Sequence, residues 1–233
     1  MTHPVIHRVT TLDLSVVRRP WPFAQERRAE IDAHFAAKQR EKPKLWNGRV
    51  LLGRNLTFAD GGLSASYFEV DFASFLAWRD WGFPDKDVFN GFGMGALCAS
   101  DGAFVLGVMG EHTANAGRIY FPSGTPDLDD IRGDALDIEG SVARELEEET
   151  GLTPADYQAD THWHCIHTGP SVAMIKILRI DMPGEALRAR IEANLARQDH
   201  PELAGVHLVR ARADLTASMP RFVTAFIEAQ LPA

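Results

Sequence analysis

Cysteine is nearly absent: Cys98 and Cys165 are the only two in 233 residues. They lie far apart among apolar neighbours, which argues against a disulfide framework and for two buried free thiols in a reducing compartment. No apolar run approaches the roughly 20 residues that a membrane-crossing helix needs. The start, MTHPVIHRV, lacks the basic-then-apolar order of a signal peptide. We therefore expect a cytoplasmic protein with no membrane partner. Positive charge is also scarce, since 24 Lys and Arg stand against 32 Asp and Glu, a formal net charge of −8, with no basic cluster along the chain. A surface that tracks a phosphate backbone needs such a cluster, so nucleic acid is not expected as a partner. A small polyanion remains compatible if metal ions bridge it.

Internal repeats and low-complexity stretches are missing too, so organisation has to come from periodicity and punctuation. Residues 24–41 are charge-dense with Ile31 and Phe35 four apart, a surface helix with a narrow apolar stripe. Strand-like runs at 48–58 and 63–72 flank Asp60-Gly61-Gly62, which reads as a hairpin turn. A short helix at 72–81 ends in Gly82-Phe83-Pro84-Asp85, and we place a boundary there. The expectation is an α+β chain, with a small N-terminal α+β domain over residues 1–86 and a second domain over 87–233.

In the second half, strands are expected at 95–99, 103–109 and 118–122. A long acidic loop then leads to Asp137, an N-cap for a helix reaching Thr150, with Gly151 as its left-handed stop. Strands at 163–167 and 172–180 follow. A helix bearing Leu187, Ile191 and Leu195, a strand at 206–209, and a terminal helix bearing Phe222, Val223, Phe226 and Ile227 complete the chain.

The helix ending at Thr150 carries charge where stability alone would not put it. Glu145 precedes Glu148 by three residues and Glu149 by four, so the three project from one side, while Glu147 points elsewhere. Each like-charge pair at these spacings disfavours a helix by roughly 0.2–0.5 kcal/mol. Glu147, Glu148 and Glu149 also crowd the negative end of the helix dipole, which ordinarily attracts Lys or Arg. A divalent cation reverses this argument, because hard oxygen ligands converging on one side suit Mg²⁺ or Mn²⁺. Arg144, four residues before Glu148, is placed to hold that carboxylate.

The run Arg144-Glu145-Leu146-Glu147-Glu148-Glu149-Thr150-Gly151-Leu152 resembles the second half of the Nudix box, R-E-aliphatic-x-E-E-x-G-aliphatic. Phe121-Pro122-Ser123-Gly124 resembles the strand and glycine turn that open the family's loop-helix-loop. The front half departs from the pattern. Asp130 and Leu136 stand where the family has glycine and glutamate, and an expanded loop at 125–136 displaces the glycine to Gly124, with Asp137 or Glu139 as substitutes for the glutamate. The resemblance implies a Nudix-type α/β/α sandwich with a mixed sheet. It further implies a Mg²⁺- or Mn²⁺-dependent hydrolase that cleaves the diphosphate of a nucleoside diphosphate linked to another moiety.

The same resemblance implies Glu145, Glu148 and Glu149 as metal ligands, with Glu145, Glu148, Arg144 and a loop glutamate, Glu202, in the chemistry. Gly124, Arg118 and Lys176 are the candidate substrate contacts. The N-terminal section resembles that of the UDP-sugar-hydrolysing branch and is a candidate for substrate specificity or homodimerisation, with ADP-ribose a close competitor as substrate. A nucleotide-binding sensor with weak catalysis is the alternative. His162, His164, Cys165 and His167 match no zinc spacing and read as a partly exposed strand. Gly91-Phe92-Gly93-Met94-Gly95 fails the dinucleotide spacing and reads as a place of close approach.

Overall fold

The computed structural model describes residues 4–113 and 115–231, so Met1, Thr2 and His3, part of the start read above for a signal peptide, lie outside the described residues. The first part holds β1 (Val5–Val9), β2 (Thr11–Val16), α1 (Pro22–Glu26), α2 (Arg28–Glu41), β3 (Arg49–Ala59), β4 (Gly62–Asp71) and α3 (Phe72–Asp80). Next come β5 (Asn90–Ala99), β6 (Phe104–Met109), β7 (Ile119–Tyr120), β8 (Ile131–Arg132), β9 (Ala135–Leu136) and α4 (Ile138–Thr150). The chain ends with β10 (Gln158–Thr168), β11 (Ser171–Ile180), α5 (Gly184–Leu195), β12 (Leu203–Val209) and α6 (Arg221–Gln230).

Two mixed sheets result, so the chain is α+β as expected. The larger runs β1-β10-β11-β5-β6-β12 with β7 added to β6, and its β11–β5 pair is parallel. The smaller runs β3-β4-β2-β9-β8, with β2 and β4 parallel. Asp60 and Gly61 adopt positive φ at the β3–β4 hairpin, as the turn chemistry requires.

Helices cover both faces of the larger sheet. On β5, Gly93 accepts Val142 and Ile138 of α4, where any Cβ would collide with both. Its neighbour Phe92 points the other way and meets Phe222 of α6 edge-on, ring centroids 5.4 Å apart. Gly93 and Gly95 therefore seat a helix on the sheet, while Gly91 makes room for Tyr67 and Phe89. α5 packs beside α4, giving the expected α/β/α layering.

Residues 1–86 and 87–233 exchange strands. β1 pairs with β10, from Val5 opposite His167 to Val9 opposite Trp163. In return, the segment expected as a plain acidic loop contains a 3₁₀ turn at Leu128–Asp130 and the β8–β9 hairpin, which joins the smaller sheet through Ser15 and Ala135. β1 and β2 escaped the sequence reading because their alternation is half-exposed and short. Both cysteines are free, Cys165 buried and Cys98 partly so. Among the described residues no helix is long and apolar enough to cross a membrane.

Candidate functional site

α4 begins and ends where its residues dictate. The Asp137 carboxylate accepts the Gly140 amide at 2.8 Å, and Gly151 closes the helix at φ 73°. Ile138, Val142 and Leu146, four apart, form the buried stripe, each contributing roughly 1.5–3 kcal/mol. That stripe fixes the rotation of the helix and so decides where its acids point.

Glu149 points inward. It is 4% exposed, and neither carboxylate oxygen completes a hydrogen bond, although the Ser123 amide faces it. Leaving such a group without donors costs roughly 1–3 kcal/mol or more. Burial, then the charges of Glu145 and Glu202, push its carboxyl up to about 9. Glu145 is half-hidden, and burial raises it to about 7 against the opposing pull of Arg144, with Glu148 and Glu202 adding to the rise. A Cβ on Gly124 would overlap the Glu145 carboxylate, so a side chain there would push that carboxylate aside.

Glu202 is held by the loop before β12, where its carbonyl accepts the Gly110 amide at 2.7 Å, and its charge reaches both buried glutamates. Burial raises the Tyr120 hydroxyl well above its usual range, and the same three acids reinforce this. Glu148 stands at the rim, its side chain 61% exposed. Glu147 is exposed, as the helix geometry predicted.

Arg144 keeps Glu148 within ion-pair distance, as expected, but bonds two other carboxylates. Its guanidinium donates to Glu145 at 2.8 Å and to Asp130 at 3.0 Å, while Glu148 lies at 3.7 Å, too far for a hydrogen bond. Asp130 is the carboxylate that anchors the arginine from the front loop. It is 2% exposed and also accepts the Ser141 hydroxyl at 3.1 Å and the Asp127 amide at 3.1 Å. Neither Asp137 nor Glu139 takes that part, since one caps the helix and the other is exposed.

A cleft of about 440 Å³ opens beside Ser123 and Gly124. Its floor is one face of β5, with Asn90, Phe92 and Met94. α3 supplies one wall through Phe72, Phe75 and Arg79, α6 supplies Phe222, and Arg118 reaches in beside Tyr120. Lys176 is not there. It pairs with Gly95, which faces α4, so it occupies the sheet face opposite Met94, with its ammonium 4.6 Å over the Trp163 ring.

The structure thus gathers Glu145, Glu149, Glu202 and Gly124, leaves Glu148 at the edge and Arg144 behind them, and removes Lys176. Asp130, Tyr120, Asn90 and the α3 wall were missed. Phe72, Phe75 and Arg79 were detectable as an i, i+3, i+7 stripe, but nothing in the sequence said which surface it faces. Among the described residues no three His, Cys, Asp or Glu side chains are closed into a metal cage. The donor set nevertheless fits a hard cation, with clustered glutamates and two buried oxygens lacking partners.

No family model matches the chain, and no curated protein does. Among solved structures it is similar to the MutT protein of Methanosarcina mazei Go1, at 18% identity over 60% of this chain and 91% of that one, TM-score 0.38. It is likewise similar to the Nudix hydrolase RenU of M. smegmatis, at 14% identity over 61% and 86%, TM-score 0.38. A bifunctional NMN adenylyltransferase/ADP ribose pyrophosphatase of Francisella tularensis matches at 13% identity over 66% of this chain and 44% of that one, TM-score 0.38. At such overlaps these likenesses carry no argument about this chain. The box resemblance rests on its own residues.

Proposed function

We propose that the chain is a Nudix-type hydrolase that uses Mg²⁺ or Mn²⁺ to cleave the diphosphate linkage of a nucleoside diphosphate joined to another moiety, a UDP-sugar or ADP-ribose. One observation carries this reading: Glu149, buried with neither carboxylate oxygen completing a hydrogen bond, beside Glu145 and Glu202 and facing Ser123, which lines the cleft. A fold has no structural use for such a carboxylate, and perturbed acids in a cleft mark chemistry. The residue pattern at 144–152 supplies the reaction class.

Glu145, Glu148 and Glu149 would hold the cation, which would neutralise phosphoryl oxygens and acidify water. Arg144, fixed by Asp130, keeps the Glu145 carboxylate turned toward Gly124. Glu202, close to both buried acids and on a separate element, takes the proton from the attacking water. Arg118 meets a substrate phosphate. Residues 1–86 supply substrate specificity or a homodimer contact, and the protein works in the cytoplasm.

The second reading, a sensor that binds nucleotides without cleaving them, draws on the open acid cluster and the exposure of Glu148. One experiment separates the two. The protein is incubated with Mg²⁺ and UDP-sugars, ADP-ribose, dinucleoside polyphosphates, CoA or nucleoside triphosphates, and products are read by mass spectrometry. The hydrolase reading expects a nucleoside monophosphate and a phosphorylated partner from at least one substrate, with loss of product in Glu148→Gln and Glu149→Gln. Variants that match the parent rate, or tight binding with no turnover anywhere, would overturn it.

A further inference from the structure

Asn90 is a polar side chain that the fold leaves unanswered. It opens β5, it lines the cleft, and its Oδ1 is buried without a hydrogen-bond partner. The fold therefore gives the Asn90 amide oxygen no answering donor, at a residue that lines the cleft. On the same face, Ser171 of β11 stands in register with Asn90, and Phe92 and Met94 continue the floor.

The surroundings of Asn90 select the ligand. Phe72 and Phe75 of α3 approach from one side and Phe222 of α6 from the other. The cation at this end, Arg79, is already paired with Asp80 at 3.1 Å, so the environment is aromatic and nearly neutral. Arg118 differs, since its guanidinium has no ion pair or hydrogen bond among the described residues. Position along the strand sets the scale. Asn90 lies four residues, about 13 Å, from Met94. The next residue, Gly95, is bonded to the Pro122 carbonyl, directly before Ser123 and Gly124. The cleft thus has an aromatic end with an amide, a cationic end near the acids, and space for one nucleoside between them.

We propose that this cleft is a nucleoside seat: Phe72, Phe75 and Phe222 flank a base, Asn90 reads its hydrogen-bonding edge, and α3 thereby sets the substrate preference. The proposal rests on the hydrolase reading for the direction in which the diphosphate points. An amide carries both a donor and an acceptor, matching the mixed edge of a base. Planar rings stack on bases with little regard to sequence, which leaves discrimination to Asn90.

The test uses the full chain in EDTA, so that binding is read without turnover. Calorimetric titration compares the four common ribonucleoside monophosphates with ribose 5-phosphate and inorganic phosphate. At least one nucleoside monophosphate should bind roughly tenfold more tightly than ribose 5-phosphate. Asn90→Ala should weaken that binding roughly tenfold and level the preference among bases, and Asn90→Asp, of the same shape, should alter the preference. On the substrate that turns over, Asn90→Ala should raise KM with kcat within about twofold, as loss of uniform binding predicts. Ribose 5-phosphate binding as well as every nucleotide, or an unchanged base preference in both variants, would overturn the seat. Base-selective binding with no hydrolysis of any substrate would sink the hydrolase reading and leave the seat standing.

Discussion

Asp130 and Glu149 are both buried carboxylates that touch α4, and the fold treats them in opposite ways. Asp130 is met by an arginine, a hydroxyl and an amide. Glu149 completes no hydrogen bond, faces the Ser123 amide alone, and is met by two further acids. Burial alone therefore does not separate structural acids from chemical ones; the presence of donors does. The satisfied carboxylate ties the front loop to the helix, and the unsatisfied one stands where that loop leaves room.

The comparison can be broken most severely by exchanging charge for amide at each place. Glu149→Gln should lower hydrolysis on the order of 10²–10³-fold, in line with loss of a group acting on the reacting atoms, while the metal-free protein melts higher than the parent at pH 9. Asp130→Ala should do the reverse, costing about 2–4 kcal/mol in urea denaturation because Arg144, Ser141 and the Asp127 amide lose their acceptor. If the Asp130 variant keeps parental stability, the ion pair is ornamental and the comparison fails.

Dependence on pH sharpens it next. A carboxyl raised in the folded state binds protons that the unfolded chain has already released, so it lowers stability as pH rises. For Glu145, raised from 4.5 to about 7, and Glu149, raised to about 9, the metal-free protein should lose stability between about pH 4.5 and 9. The thermal melting temperature should fall across that range, and the fall should shrink in Glu149→Gln. Gly124→Ala is a smaller perturbation that displaces the Glu145 carboxylate, with an expected cost of about 1–2 kcal/mol in stability and a loss of kcat. The smallest effect belongs to Lys176→Met, which should leave KM within about twofold, since a side chain across the sheet gives up no substrate binding.

Much of the helix was legible because its information is local. Asp137, the Ile138-Val142-Leu146 stripe and Gly151 fix its ends and its rotation, and the spacing of Glu145, Glu148 and Glu149 then follows. The front loop was not legible for the opposite reason. Asp130 acquires its meaning from Arg144, fourteen residues on, and from a 3₁₀ turn stabilised by Asp127, and the β8–β9 hairpin exists only because β2 is there to pair with it. Lys176 was misassigned because strand periodicity gives two faces without saying which is the cleft. Glu202 was reached only through the family pattern, and its approach to Glu145 and Glu149 is a long-range consequence of β12 pairing with β6. β1 shows the same limit, since its place beside β10 depends on residues more than 150 positions away.

The central claim is that the unsatisfied carboxylate of Glu149 is there to receive a cation. Titrating Mg²⁺ or Mn²⁺ into the metal-free parent, Glu149→Gln and Asp130→Asn while following thermal melting tests it most directly. The account predicts that the cation raises the parent's melting temperature, more at pH 8.5 than at pH 6, that Glu149→Gln abolishes the rise, and that Asp130→Asn, though less stable, keeps it. An equal rise in the parent and in Glu149→Gln would contradict the account.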